Sequence, residues 1–280
     1  MSEQVRYTVN CSILFTELPL LERPAAARRA GFDAVEFWWP FSEPLPHTRE
    51  IEQFVDAVGG AGTTLTGLNL YAGDLAAGER GTISTPGLSE LVRANAELCI
   101  EIGQRLGCRS FNALYGNRRA DVRPEHQDEC ATENLGMVAA IAARIGATIL
   151  VEPLSVPLDY PLRVAADVLD VLNRVEEQTG ADNLRLLADL YHLAANGDDL
   201  EEVLTTHADR IGHVQIADHP GRHEPGTGSL PIAELLTLLM SNGYRGRVGL
   251  EYTPTTSSAD SFGWLSPPIL PTWASDRVEQ

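Results

Sequence analysis

Residues 124–153 read PEHQDECATENLGMVAAIAARIGATILVEP. Pro124–Ile145 carries a helical pattern, Gly146 follows it, and TILVEP (148–153) is a short apolar run that ends on an acid, Glu152. A glycine just past the last helical residue sits where a left-handed cap costs the backbone least. The segment is therefore a helix, a cap, a strand and a polar strand end in sequence.

The same unit recurs along the chain. Short β-rich runs stand at 6–10 (RYTVN), 33–37 (DAVEF), 65–70 (LTGLNL), 109–114 (RSFNAL), 184–190 (LRLLADL), 212–218 (GHVQIAD) and 246–252 (GRVGLEY), making eight with TILVEP. Helical patterns over 20–30, 51–61, 88–106, 163–179, 200–208 and 231–242 lie between them, and Gly31, Gly62, Gly107, Gly180 and Gly243 mark helix ends as Gly146 does. Strand–helix alternation implies parallel strands joined by crossover helices. Eight such units in a chain of 280 residues predict a single-domain α/β fold, the (β/α)8 TIM barrel. A doubly wound sheet is the alternative, weakened because no G-x-G-x-x-G turn follows the first strand. The barrel is expected over residues 1–259, with a C-terminal extension over 260–280 that contains the Pro-rich SPPILPTW (266–273). That segment is not expected to be a regular helix; it either wraps the barrel or contacts another subunit of a homo-oligomer.

Composition narrows the partners. The net charge is −18, with 44% hydrophobic and 21% charged residues. So acidic a chain repels phosphate backbones and anionic lipid, which argues against nucleic acid and membrane surfaces. No run approaches the ~18 apolar residues of a membrane helix, and MSEQVRYTVN lacks the pattern of a signal peptide. Cys11, Cys99, Cys108 and Cys130 form no C-x-x-C pair and read as reduced thiols of a cytoplasmic protein.

Chemistry in a parallel barrel gathers at the C-terminal strand ends. There the chain offers Asn10, Glu36, Asn69, Asn112, Glu152, Asp189, Gln215 and Glu251, although buried parallel strands otherwise read as nearly continuous apolar sequence. Glu152, Asp189, Gln215 and Glu251 stand on four successive strands, 37, 26 and 36 residues apart. Three carboxylates converging on one barrel mouth resist ionisation unless a cation lies between them. An oxygen-only set favours Mg²⁺ or Mn²⁺ over zinc. Pairing of each acid with a basic residue is the bland reading; the chain contains no lysine, and few arginines flank these strands.

At these residues the chain resembles the hydroxypyruvate isomerase family of the xylose-isomerase-like barrel superfamily. The resemblance runs from Asn10 to about Trp264 through GFDAVEFWWPF (31–41), AGDLAAGERGTISTPG (72–87), LVEPLS (150–155), ADLYHL (188–193), IGHVQIADHPGRHEPGTG (211–228) and VGLEYTPTT (248–256). It implies an aldose–ketose type isomerase in which the residues matching Glu152, Asp189, Gln215 and Glu251 hold one divalent cation. Glu152 and Glu251 match the proton-transfer pair, and the family reaction interconverts hydroxypyruvate and tartronate semialdehyde (2-hydroxy-3-oxopropanoate). The residue chemistry agrees independently, because two carboxylates on opposite sides of a mouth can remove a proton from one carbon and return it to the next.

Other residues are candidates for the small anionic hydroxy-oxo acid itself. His192 in DLYH either hydrogen-bonds a substrate oxygen or caps the next helix. Arg222 and Arg80 suit a carboxylate, which guanidinium binds in bidentate fashion. Glu79, beside Arg80, is expected on a loop over the mouth, with Asn69 and Asn112 at their strand ends. Trp38 and Trp39 either wall the pocket or pack elsewhere, and GTG (226–228) reads more readily as a turn than as a phosphate cradle. Alternatives are an isomerase of a larger oxo-sugar acid such as 2-oxo-tetronate, and a ketose 3-epimerase. The epimerase relatives usually carry histidine where Gln215 stands. A multi-zinc DNA-repair endonuclease would need more histidines and a basic face, and a non-catalytic sugar-acid binder would not need both glutamates.

Overall fold

A computed structural model describes residues 5–265. The eight strands are β1 (Tyr7–Asn10), β2 (Ala34–Phe37), β3 (Thr64–Asn69), β4 (Ser110–Asn112), β5 (Thr148–Val151), β6 (Leu184–Asp189), β7 (Ile211–Ile216) and β8 (Val248–Leu250). All neighbours pair in parallel, and β1 pairs β8 to close the barrel in chain order. The (β/α)8 barrel predicted by the alternation is the fold.

The helices are α1 (Arg23–Arg29), α2 (Thr48–Gly60), α3 (Ser89–Leu106), α4 (Pro124–Ala143), α5 (Ala165–Thr179), α6 (Leu190–Ala195), α7 (Leu200–Thr206) and α8 (Ile232–Ser241). Each expected helix is present, and the six glycines singled out as caps all have positive φ, from 66° at Gly146 to 101° at Gly31. The apolar stripe of α5 shows why these segments dock. Val168, Val171, Leu172 and Val175 recur at helical spacing and are buried. Burying each such side chain contributes about 1.5–3 kcal/mol. The short α6 is an addition to the expected set. Asp189 caps it, its side chain accepting the Tyr191 N–H at 2.8 Å, so the strand end that carries an acid is also a helix start.

Strand register places the polar ends side by side. Asn10 pairs with Glu36, Asn69 with Asn112, Asp189 with Gln215, and Gln215 with Gly249. Glu152 and Glu251 each follow directly on the last residue of β5 and β8. All four cysteines are free and buried. Past β8, Asp260–Trp264 forms a 3-10 turn whose Phe262 packs against Phe15 and Phe32. The Pro-rich 266–273 lies outside the described residues. Among the described residues no helix is long and apolar enough to cross a membrane.

Candidate active site

Glu152, Asp189, Gln215 and Glu251 are each at most 4% exposed. Burial, reinforced by the Asp189 charge, pushes the Glu152 carboxyl up to about 8. Burial also holds Glu251 well above the usual carboxylate range, with Arg222 opposing and the Glu152 charge adding to the rise. Carboxylates taken out of water beside one another resist ionisation.

Each glutamate is gripped on one oxygen by an asparagine from a neighbouring strand. Asn112 Nδ2 donates to Glu152 Oε2 at 2.7 Å, and Asn10 Nδ2 donates to Glu251 Oε2 at 2.7 Å. An amide that donates to a carboxylate fixes its plane, so Glu152 Oε1 and Glu251 Oε1 are the oxygens left for other work. Glu251 Oε1 faces Arg222 Nη2 at 2.6 Å. Arg222 also lies 3.7 Å from Asp189 Oδ2 and over the face of Tyr191, 5.5 Å from its centroid. Its backbone is left-handed, at φ 59°, held by its own N–H on the Asp218 carbonyl and by Thr253 N–H on the Arg222 carbonyl.

His192 belongs to the same cluster, with Nε2 3.7 Å from Asp189 Oδ2 and 4.0 Å from Glu152 Oε1. Its other nitrogen settles the tautomer. The Ser155 backbone N–H, which can only donate, lies 3.1 Å from Nδ1. Nδ1 is therefore an acceptor, and the neutral ring carries its proton on Nε2. Burial lowers its pKa to about 4, so the ring is neutral near pH 7 and offers an N–H toward the mouth. It sits in the second half-turn of α6 and does not cap that helix, a task Asp189 performs.

A cavity of about 770 Å³ opens above these groups, and Glu152, His192, Arg222 and Glu251 reach into it. Trp38, Trp39, Asn69 and Arg80 also line it. Arg80 Nη1 donates to the carbonyls of Leu75 and Glu79, which folds its side chain along its own loop. Glu79 is turned into that loop, its Oε2 accepting the Asp74 N–H at 2.6 Å. Asn112 lies beneath the cavity, on Glu152. The GTG segment closes as a turn around Asp218, whose carboxylate accepts the N–H groups of Gly226 and Leu230.

The donor set fits a divalent cation. Three carboxylates share the mouth with one guanidinium, which faces two of them, and Asp189 Oδ2, Gln215 Oε1 and Asn112 Oδ1 are buried acceptors without a hydrogen-bond partner. Buried acceptors left this way are costly in a folded protein. One ligand atom each from Glu152, Asp189 and His192 lies within 4.8 Å of the others. Since His192 Nε2 carries a proton, the oxygen atoms are the fitting ligands of that group. Glu251 stands outside this tightest group, against Arg222.

Asn10 and Glu36 stand in the sequence among the polar strand ends but receive no role there, and His213 and Ser155 go unnoticed. His213 shares the period-two face of Gln215 on β7, which is a readable signal. Ser155 carries none, because its contact depends on how the loop after β5 meets α6.

Comparison with known proteins places the chain in context. Residues 24–267 match the family model described as xylose isomerase-like TIM barrel. The chain is 53% identical to a Streptomyces coelicolor protein named "Putative hydroxypyruvate isomerase", over 93% of this chain and 95% of that one. It is 33% identical to Escherichia coli hydroxypyruvate isomerase, over 94% and 99%. A 2-oxo-tetronate isomerase of Cupriavidus necator is also 33% identical, over 94% and 98%.

Proposed function

The chain belongs to the xylose isomerase-like TIM-barrel family, on its hydroxypyruvate isomerase branch, and we propose that it is a metal-dependent isomerase of small hydroxy-oxo acids, converting hydroxypyruvate to 2-hydroxy-3-oxopropanoate and back. One observation carries the reading. Two buried glutamates with raised pKa, at the ends of β5 and β8, open into one cavity, each with one oxygen pinned by an asparagine, while the other oxygen of Glu251 meets Arg222.

Glu152, Asp189, Gln215 and Glu251 would hold Mg²⁺ or Mn²⁺. When bound, the ion polarises the carbonyl and hydroxyl oxygens of the substrate and supplies positive charge that the protein lacks there.

The residues divide the remaining work. One glutamate removes a proton from C3 of hydroxypyruvate, the C–H electron pair forms the C2–C3 double bond, and the C2 carbonyl π pair moves onto its oxygen. That oxygen takes the proton of the C3 hydroxyl, whose carbonyl forms as the C2–C3 pair takes a proton at C2 from the second glutamate. Atoms and charge balance, so no external oxidant is required. His192 Nε2–H donates to a substrate oxygen. Arg222 binds the substrate carboxylate, for which its fork is shaped, Arg80 and Asn69 complete the polar lining, and Asn112 acts from beneath by holding Glu152. Desolvation inside the cavity raises both glutamate carboxyls above the ordinary carboxylate range, the direction that favours proton transfer both ways.

A second reading rests on the cavity. Its 770 Å³ falls in the range of pockets that enclose drug-sized ligands, far more than a three-carbon acid fills. That room admits a larger acid, and the 33% identity to a 2-oxo-tetronate isomerase makes a four-carbon oxo acid such as 2-oxo-tetronate the alternative substrate. Gln215 in place of histidine, and the carboxylate partner offered by Arg222, favour an oxo acid over a ketose.

Incubation with hydroxypyruvate, 2-oxo-tetronate or a ketose in deuterated water with Mn²⁺ tests the proposal. Solvent deuterium should enter at carbon in an oxo acid. No exchange with any of the acids defeats the isomerase reading, and exchange with the ketose alone moves the chain to the epimerases.

A further inference from the structure

Glu36 is a buried acid to which the proposed reaction gives no task. It lies near the end of β2, is 2% exposed, and its ion-pair partner among the described residues is His213. His213 Nε2 lies 2.8 Å from Glu36 Oε2. Glu36 Oε1 accepts from Gln215 Nε2 at 2.8 Å and from Asn10 Nδ2 at 3.4 Å. β2 and β7 are not neighbours, since β1 and β8 lie between them, so these bonds cross the barrel interior.

The backbone is shaped for that crossing. A Cβ on Gly249 would stand 2.6 Å from Glu36 Oε1 and 2.7 Å from Gln215 Cγ, and one on Gly67 would stand 3.3 Å from Glu36 Cβ. The strand pairing also slips at two places. One is between Val35 and Glu36 along β2–β3, and the other is between Leu186 and Leu187 along β6–β7, where Ile211 gives way to His213. An extra residue in a ladder re-aims the side chains beside it. The two slips stand beside the two members of the Glu36–His213 pair.

The consequence falls on Gln215. A carboxylate only accepts, so Glu36 must take the amide NH₂ end. That leaves Oε1 as the buried end with no protein partner. We propose that Glu36, backed by His213, is a positioning residue that locks the Gln215 amide with its oxygen presented to the divalent cation. Asn10 ties the same carboxylate to Glu251. This inference rests on the metal-dependent reading above.

Calorimetric titration of metal-stripped, full-length protein with Mn²⁺, without substrate, tests it. Glu36→Gln should weaken Mn²⁺ binding by about tenfold or more, the usual scale for a lost supporting partner, with little change in Tm. Gln215→Glu should weaken binding although it adds a negative ligand, because a second carboxylate would face Glu36. The double variant E36Q/Q215E exchanges amide and carboxylate across the same hydrogen bond and should recover most of the affinity. Wild-type affinity in a folded E36Q overturns the proposal. So does Q215E binding Mn²⁺ more tightly than wild type, which decides the matter even where E36Q fails to fold. Absence of Mn²⁺ binding by the wild-type chain is a different failure, that of the metal-dependent reading itself.

Discussion

Arg222 Nη2 lies 2.6 Å from Glu251 Oε1, and the same nitrogen is 3.7 Å from Asp189 Oδ2. One guanidinium therefore faces two of the three carboxylates at the mouth while standing in the cavity where a substrate carboxylate would arrive. Arg222→Ala should raise KM for the oxo acid about 10- to 100-fold, the cost of one or two charged hydrogen bonds. Arg222→Lys should recover little of it, since an ammonium lacks the planar fork. Steady-state kinetics with hydroxypyruvate checks this, and an unchanged KM in Arg222→Ala would remove Arg222 from the substrate.

Glu152→Gln and Glu251→Gln should each lower kcat by about 10²–10⁴-fold, the typical worth of a positioned acid or base. Glutamine keeps an oxygen that can accept from Asn112 or Asn10, so circular dichroism should match the wild type. A variant within a few-fold of wild-type kcat would exclude that glutamate from proton transfer.

The metal should stabilise the protein more as pH rises. Burial raises the Glu152 carboxyl from an ordinary 4.5 to about 8 in the folded chain. An acid with a raised folded pKa contributes stability that is complete below its unfolded pKa and is lost as pH climbs through the folded one. Without metal, Glu152 thus costs stability progressively between pH 4.5 and about 8. The rise in Tm on adding Mn²⁺ should grow from pH 5.5 to pH 8, roughly the window in which Glu152 ionises. A rise that is flat or shrinking over this range would argue against a cation among these carboxylates.

Tyr160→Phe tests the scaffold under Glu152. The Tyr160 hydroxyl is fully buried, donates to the Glu152 carbonyl at 3.0 Å and accepts the Tyr115 N–H at 3.0 Å. Its removal leaves a buried N–H unsatisfied and should cost about 1–3 kcal/mol in urea unfolding.

The barrel was readable because its signals are local. Each strand shows itself as an apolar run, and each cap as a glycine such as Gly107, whose φ of 78° follows from the end of α3. The acids at 152, 189 and 251 were readable because a polar residue at the end of a buried strand is conspicuous. The roles of Glu79 and Ser155 were not readable. Glu79 ties its own loop through Asp74, and Ser155 sets the His192 tautomer across 37 residues of chain. Both depend on loop paths, which no periodicity encodes. The short α6 was hidden for a related reason, since its six residues are fewer than two turns of pattern.

The glycine at 249 constrains how this sequence can drift. Any side chain there would collide with Glu36 and Gln215, so β2, β7 and β8 are not free to vary one at a time. Positions 36, 213, 215 and 249 form an epistatic unit: a change at one that is harmful alone becomes tolerable only with a matching change in another. Exchange of Gln215 for another ligand type should be accepted only in backgrounds where position 36 changes too, and saturation mutagenesis of the four positions together would reveal that dependence as strongly non-additive fitness.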